Sequence, residues 1–258
     1  MLLIIEALLI VAALGQDRRA AIEETIYPLD MADNSVDDQY DGCTKEMEEL
    51  VESQYLEKEL KNTPSFRNVW TAEAKKLKDS KYLTAIYAYT QDEIYKEFNK
   101  AVRTERKKYT DKNFKWYSLH FLLTKALQML KKKQTKNYTV YRGTKSKFKG
   151  KEGMTFRFGS FASFSRSRNV ARGFANKGRG TCFELKDYKG AHVATYSEYP
   201  GEEEVLIPPY EKFKVTDVKT NDWCKTVFVL ISTGEKSDLN CALFNKSFLS
   251  KLGCCGKR

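Results

Sequence analysis

The spacing of the apolar residues changes once along this chain, near Asn137, and that change restricts the fold more than any other feature. Before it, apolar side chains recur every three or four residues. From Thr44 to Leu60, Met47, Val51 and Leu60 face away from a glutamate-rich side, while Ile94, Phe98, Ala101 and Val102 form a stripe behind Thr90-Gln-Asp-Glu93, whose spacing predicts a capping box. Phe114 to Leu130 reads as a third helix, closed by Lys131, Lys132 and Lys133, where cations suit the negative end of the helix dipole. After Asn137 come short runs rich in β-branched and aromatic residues, over 138–142, 154–158, 161–165, 191–196, 203–207, 213–218 and 223–232. Helices of ten or more residues do not alternate with these runs, which argues against a doubly wound parallel sheet. The expectation is an α+β fold in a single domain over 16–258, mainly helical over about 20–135, packed on a mixed β-sandwich core over 136–245.

Composition narrows the function. The chain has 258 residues and 41% of them are hydrophobic, enough for a sizeable core and too apolar for disorder. A formal net charge of +11 implies attraction to an anionic partner: nucleic acid, a glycan, a lipid headgroup or a phosphorylated small molecule. Only two histidines, His120 and His192, are present, which disfavours a histidine-rich metal site or an imidazole-centred triad. Neither GxGxxG nor a Walker A sequence occurs, so a Rossmann or P-loop route to nucleotides is unsupported.

Residues 1–15 read MLLIIEALLIVAALG, an apolar stretch ending in small residues as a secretory signal peptide does, although no Lys or Arg precedes it and Glu6 interrupts it. It is too short to span a bilayer. Six cysteines, at 43, 182, 224, 241, 254 and 255, match no zinc spacing and predict disulfides, with fifteen pairings open to them. Asn137-Tyr-Thr and Asn245-Lys-Ser are glycosylation sequons. The end, Leu252-Gly-Cys-Cys-Gly-Lys-Arg258, lacks the hydrophobic tail of a lipid-anchor signal. A secreted, extracellular protein with no stable membrane anchor is expected.

Three stretches could carry chemistry. In Glu202-Glu-Glu-Val-Leu-Ile-Pro-Pro209 three carboxylates run into an apolar strand ended by prolines; read as a strand throughout, it sets Glu202 and Glu204 on one face. Crowded carboxylates repel unless a cation shares them, so the run is either a solvated acidic turn or a reactive site. Arg142 ends an apolar strand and is followed by Gly143, which permits close backbone approach; it either faces solvent or grips diphosphate and ribose oxygens. In Phe158-Gly-Ser-Phe-Ala-Ser163-Phe-Ser165 two hydroxyls share one face of an expected strand, interleaved with aromatics, a pattern that taken alone fits edge-strand packing.

Taken together, Arg142, Ser163 and Glu202-x-Glu204 resemble the R-S-E signature of the vertebrate arginine-specific mono-ADP-ribosyltransferases, which use NAD. Leu29-Asp-Met-Ala32, Asp37-Asp-Gln-Tyr-Asp-Gly-Cys43, Phe98-Asn-Lys-Ala-Val-Arg103, Leu119 to Gln128, Tyr141-Arg-Gly143 and Arg157-Phe-Gly159 continue the resemblance in order across about 25–245. One departure is Phe164, where the family usually has threonine between its two serines.

The resemblance implies transfer of ADP-ribose from NAD to arginine side chains of acceptor proteins, with NAD as substrate, no metal and no specific nucleic acid. It implies that Glu204 binds the ribose 2'-hydroxyl and steadies an oxocarbenium-like cation, Ser163 orients both, Arg142 grips phosphate and ribose oxygens, Gly143 meets the nicotinamide amide, and Glu202 binds and deprotonates the acceptor guanidinium. Phe174 would stack on nicotinamide or serve as core. Tyr95, Asn99 and Arg103, four apart on one helix face, would cover the adenosine end of NAD or be interfacial. Lys145, Lys147, Lys149 and Lys151, with Arg157, Arg166, Arg168 and Arg172, would steer the diphosphate, bind sulfated glycans or simply be solvated. Pairings Cys43–Cys241 and Cys182–Cys224 follow by the same resemblance, with no counterpart for Cys254 and Cys255. The competing activities are an NAD glycohydrolase with water as acceptor and an inactive, basic glycan- or nucleic-acid-binding module.

Overall fold

The computed structural model describes residues 26–78, 80–136 and 138–244; the expected leader, both sequon asparagines and Cys254 and Cys255 lie outside the described residues. Its N-terminal part is helical. Helix α1 (Thr44–Leu50) runs through a π-helical stretch (Val51–Tyr55) into α2 (Leu56–Asn62). There follow α3 (Pro64–Ala74), α4 (Lys81–Tyr89), α5 (Asp92–Thr104), α6 (Arg106–Thr110) and α7 (Tyr117–Lys133). Leu119, Phe121, Leu122, Leu123, Ala126 and Leu127 bury α7 among the others, with Ile94, Phe98 and Val102 of α5. The capping box at Thr90 does not form. Gln91 holds the N-cap position of α5 with no side-chain bond, while the Thr90 hydroxyl donates to Tyr87 O at 2.8 Å and accepts from the Glu198 amide at 3.0 Å. That side chain ties a distant loop to the helices instead of closing its own.

The β part is one hydrogen-bonded sheet of eight strands in the order β4-β9-β10-β6-β2-β5-β8-β7. The strands are β2 (Val140–Thr144), β4 (Thr155–Phe156), β5 (Ala162–Ser165), β6 (Thr181–Lys186), β7 (Ala191–His192), β8 (Glu204–Ile207), β9 (Glu211–Thr220) and β10 (Thr226–Glu235). A small parallel pair joins β1 (Ile26–Pro28) to β3 (Lys147–Lys149), and α8 (Arg168–Phe174) crosses beside β2. Pairing is antiparallel throughout the large sheet except between β6 and β10. Phe164, Val205 and Ile207 from one end of the sheet meet Phe183, Phe213 and Phe228 from the other in a single core, so the sheet folds over itself as a sandwich. Disulfides join Cys43 to Cys241 and Cys182 to Cys224.

Between the halves runs a strap, residues 29–43, held by buried charge. Arg157 is 1% exposed. It donates to Asp37 Oδ2 at 2.7 Å and to the carbonyls of Met31, Ala32 and Lys236. It therefore belongs to the framework and not to any solvated basic surface.

Candidate active site

The site forms where the sheet opens. Strands β2 and β5 share one residue pair, Tyr141 with Ser165. Past that pair the Arg142 guanidinium spans the gap, donating from Nη1 to the Ser163 carbonyl at 2.7 Å. On the other side β5 and β8 are paired along their length, with Ser165 opposite Glu204 and Ser163 opposite Leu206. Opposed residues share a face, so Ser163, Ser165 and Glu204 lie with Phe161 and Leu206 toward the helices, while Phe164, Val205 and Ile207 enter the sheet core.

A cleft of about 380 Å³ results, within the range of small-molecule sites. It brings together Tyr95, Arg142, Gly143, Ser163, Phe174, Glu202 and Glu204. The acidic run is not a strand throughout. Glu202 ends a 3-10 turn begun at Pro200, Glu203 adopts φ 48 and ψ 44, and β8 starts only at Glu204. A left-handed residue, not strand alternation, thus turns both flanking carboxylates into the cleft. The turn is pinned: Ser165 Oγ donates to the Glu202 carbonyl at 2.7 Å and accepts from the Ser167 amide at 2.9 Å, and the Arg166 amide donates to the Glu203 carbonyl.

Charge in the cleft is short of partners. Among the described residues no ion pair within 4 Å neutralises Glu202 or Glu204. Burial raises the Glu204 carboxyl to about 7, helped by the neighbouring Glu202 charge and opposed by the Ser163 hydroxyl bond and by Arg142. Burial, then the charge of Asp92, raises Glu202 as well. Burial lowers the Arg142 guanidinium despite the nearby Glu204. Two carboxyls both raised by burial beside a desolvated arginine are in the state that a cationic ligand would relieve.

Gly143 has a reason of its own. A Cβ there would lie 1.7 Å from the Ala171 carbonyl oxygen, so only glycine lets α8 cross β2 this closely. That crossing sets Phe174 at the cleft rim, 53% exposed, which rules out core packing for it. The other two members of the α5 stripe go elsewhere. Arg103 donates to the Phe158 carbonyl and pairs with Asp30, and Asn99 bonds Phe161 and Tyr89; neither lines the cleft.

Tyr89, Asp92, Tyr141 and Tyr199, to which the sequence pattern gives no role in the site, also line the cleft, as do Ser165 and Lys145, the latter placed only within a basic run. Ser165 had been noted only as a second hydroxyl on the Ser163 face. Asp92 was visible only as part of a capping box that does not form.

The sequence matches the family described as ART, NAD:arginine ADP-ribosyltransferase, over residues 29–238. Mouse T-cell ecto-ADP-ribosyltransferase 1 is 34% identical over 248 residues, covering 90% of this chain and 83% of the relative. The chain belongs to this family. Chicken erythroblast NAD(P)(+)–arginine ADP-ribosyltransferase is 32% identical over 262 residues, covering 94% of the transferase and 84% of the relative. The crystal structure of the eucaryotic mono-ADP-ribosyltransferase ART2.2 superposes with a TM-score of 0.71 at 33% identity, over 85% of this chain and all of that one. Variants of ART2.2 have been solved with NADH and with NAD bound. The transferase thus moves ADP-ribose from NAD to arginine. Among the described residues no cluster suited to a metal ion occurs, and no helix is long and apolar enough to cross a membrane.

Proposed function

We propose that this cleft performs the transfer with Glu204 and Glu202 in separate roles. The bond from nicotinamide to ribose breaks readily because the leaving group is already cationic, so the protein has chiefly to steady a positive anomeric carbon and hold the dinucleotide still. Glu204, deepest and held by Ser163, is the carboxylate for that charge and for the 2'-hydroxyl. Arg142, with Lys145 also lining the cleft, takes the diphosphate, and Phe174 covers the nicotinamide. Glu202, nearer the mouth with Asp92 and Tyr199, receives the acceptor. An arginine guanidinium is no nucleophile while fully protonated. Glu202 takes its proton as the nitrogen attacks the anomeric carbon, nicotinamide leaves from the opposite face, and the linkage inverts to α.

The observation that supports this division is the placing of both carboxylates on one cleft, unneutralised, at different depths. Mass-spectrometric mapping of an arginine-rich protein after incubation with NAD tests it. ADP-ribose on arginine side chains is expected; adducts confined to other residues, or free ADP-ribose alone, would overturn it. The single-domain organisation and an extracellular setting belong to the same proposal. Two disulfides and relatives named as ecto-enzymes support that setting. Fractionating cells that express the chain distinguishes release into the medium from retention on the surface.

A further inference from the structure

Two side chains of the helical half, Asn99 behind the cleft and Tyr89 at its wall, reach the strand that carries Ser163. Asn99 acts on Phe161 as a neighbouring strand would: its Oδ1 accepts from the Phe161 amide at 3.1 Å, and its Nδ2 donates to the Phe161 carbonyl at 3.1 Å. The Phe98 ring beside it stacks on the Phe161 ring with centroids 5.6 Å apart. The backbone two residues before Ser163 is thereby fixed from α5 by ring and amide together. The same Asn99 Nδ2 donates to the Tyr89 hydroxyl at 2.9 Å. Tyr89 is 2% exposed; its Oη lies 3.1 Å from the Phe161 carbonyl and 3.5 Å from Ser163 Oγ.

Proton counting gives this chain of contacts a direction. Ser163 has one hydroxyl proton, and Glu204, on the same face of the paired strands and held down by the Ser163 hydroxyl, is the carboxylate open to accept it. Its lone pairs are then left for Tyr89, whose own proton can turn between the Phe161 carbonyl and Ser163. The contact is long here, as catalytic hydrogen bonds often are before substrate binds.

We propose that Tyr89 and Asn99 are positioning residues for ADP-ribose transfer: Asn99 locks the Phe161 backbone and the Tyr89 hydroxyl, and Tyr89 holds Ser163 with its proton directed at Glu204. The proposal rests on the reading of Glu204 as the carboxylate that faces the ribosyl cation. It assigns the helical half a part in catalysis that the three-residue signature omits. It also accounts for Asn99, which the sequence had offered to the adenosine of NAD.

Tyr89→Phe removes one oxygen and leaves the ring. The expected result is a fall in kcat of about tenfold with the KM for NAD changed less than twofold, the loss falling on the step and not on binding. Because the Ser163 bond holds the Glu204 carboxyl down, loosening it lets that carboxyl rise, so the acid limb of the kcat profile moves to higher pH. In a Ser163→Ala background the same change should do nothing further, since the effect passes through Ser163. Unchanged kcat and limb in a folded Tyr89→Phe protein, or full additivity with Ser163→Ala, would overturn the proposal. Glu204→Gln run alongside separates the two readings: if it is inactive while Tyr89→Phe is silent, only the positioning role fails, and if it is active the reading of Glu204 fails. Should Tyr89→Phe not fold, neutron diffraction of the unaltered protein decides. A deuteron on Tyr89 Oη pointing at Ser163, with that of Ser163 pointing at Glu204, supports the proposal; a Ser163 hydroxyl turned away from Glu204 overturns it.

Discussion

Two arginines of the β half, fifteen residues apart, have opposite fates. Arg157, which holds the strap, is saturated, with one carboxylate and three carbonyls around it. Its partner Asp37 also receives the Leu239 amide at 2.9 Å. Among the described residues, Arg142 in the cleft has one hydrogen-bond partner, the Ser163 carbonyl, and faces a carboxylate that is itself short of bonds. A buried ion pair offsets its desolvation only when further hydrogen bonds complete it. The strap meets that condition and serves the fold. The cleft does not, and the unmet demand is what NAD and an arginine are suited to satisfy. At these two arginines, complete bonding goes with the framework and incomplete bonding with the site.

The strongest break of this contrast is Glu204→Gln. Transfer should fall on the order of a thousandfold, as when one preorganised electrostatic contact to the transition state is lost. Thermal stability at pH 8 should hold or rise, because a raised carboxyl is one whose ionised form the fold disfavours. Calorimetry beside a labelled-NAD assay reads both. Asp37→Ala should do the reverse, destabilising by about 3–5 kcal/mol through an uncompensated buried guanidinium, while whatever protein remains folded keeps its KM for NAD; urea titration checks it.

The cleft also predicts a pH limb. Glu204 ionises near 7 when folded and near 4.5 when exposed, so its contribution to stability falls as pH rises from about 4.5 through 7, while activity, which needs the charge, rises over the upper part of that span. A kcat/KM profile for NAD with its acid limb near 7 is expected; a limb near 4 would mean that the carboxylate is not desolvated. The smallest effect belongs to Arg103→Ala. Its guanidinium serves the Phe158 carbonyl and Asp30, so the melting temperature should drop by a few degrees, in keeping with about 1 kcal/mol for such exposed contacts, and the KM for NAD should stay within twofold. A large rise in that KM would restore the adenosine role that the helix stripe suggested.

Much of this was legible beforehand, and the failures have physical causes. The switch from helical to strand spacing near Asn137 placed both halves, because apolar side chains must face a core whatever the connections. Strand β6 was not seen: Thr181-Cys-Phe-Glu-Leu-Lys186 lies between two partner strands and is buried almost throughout, so it lacks the alternation that marks a half-exposed strand. The pairing of Glu202 with Glu204 was anticipated, but through strand alternation; the left-handed Glu203 that produces it leaves no trace in a period-two pattern. Tyr95, Asn99 and Arg103 were correctly grouped on one helix face, yet they diverge at their tips because each meets a different segment beneath. Tyr89 and Asp92 come from sequence far before the R-S-E residues, and only the packing of α4 and α5 against the opened sheet brings them to the cleft.

The division of labour between the two carboxylates is tested most directly by Glu202→Gln assayed with labelled NAD and agmatine, counting nicotinamide, free ADP-ribose and adduct together. Nicotinamide release should continue while the arginine-type adduct falls at least tenfold and free ADP-ribose takes its place. Adduct formed at the unaltered rate, or all products lost in step, would contradict the account.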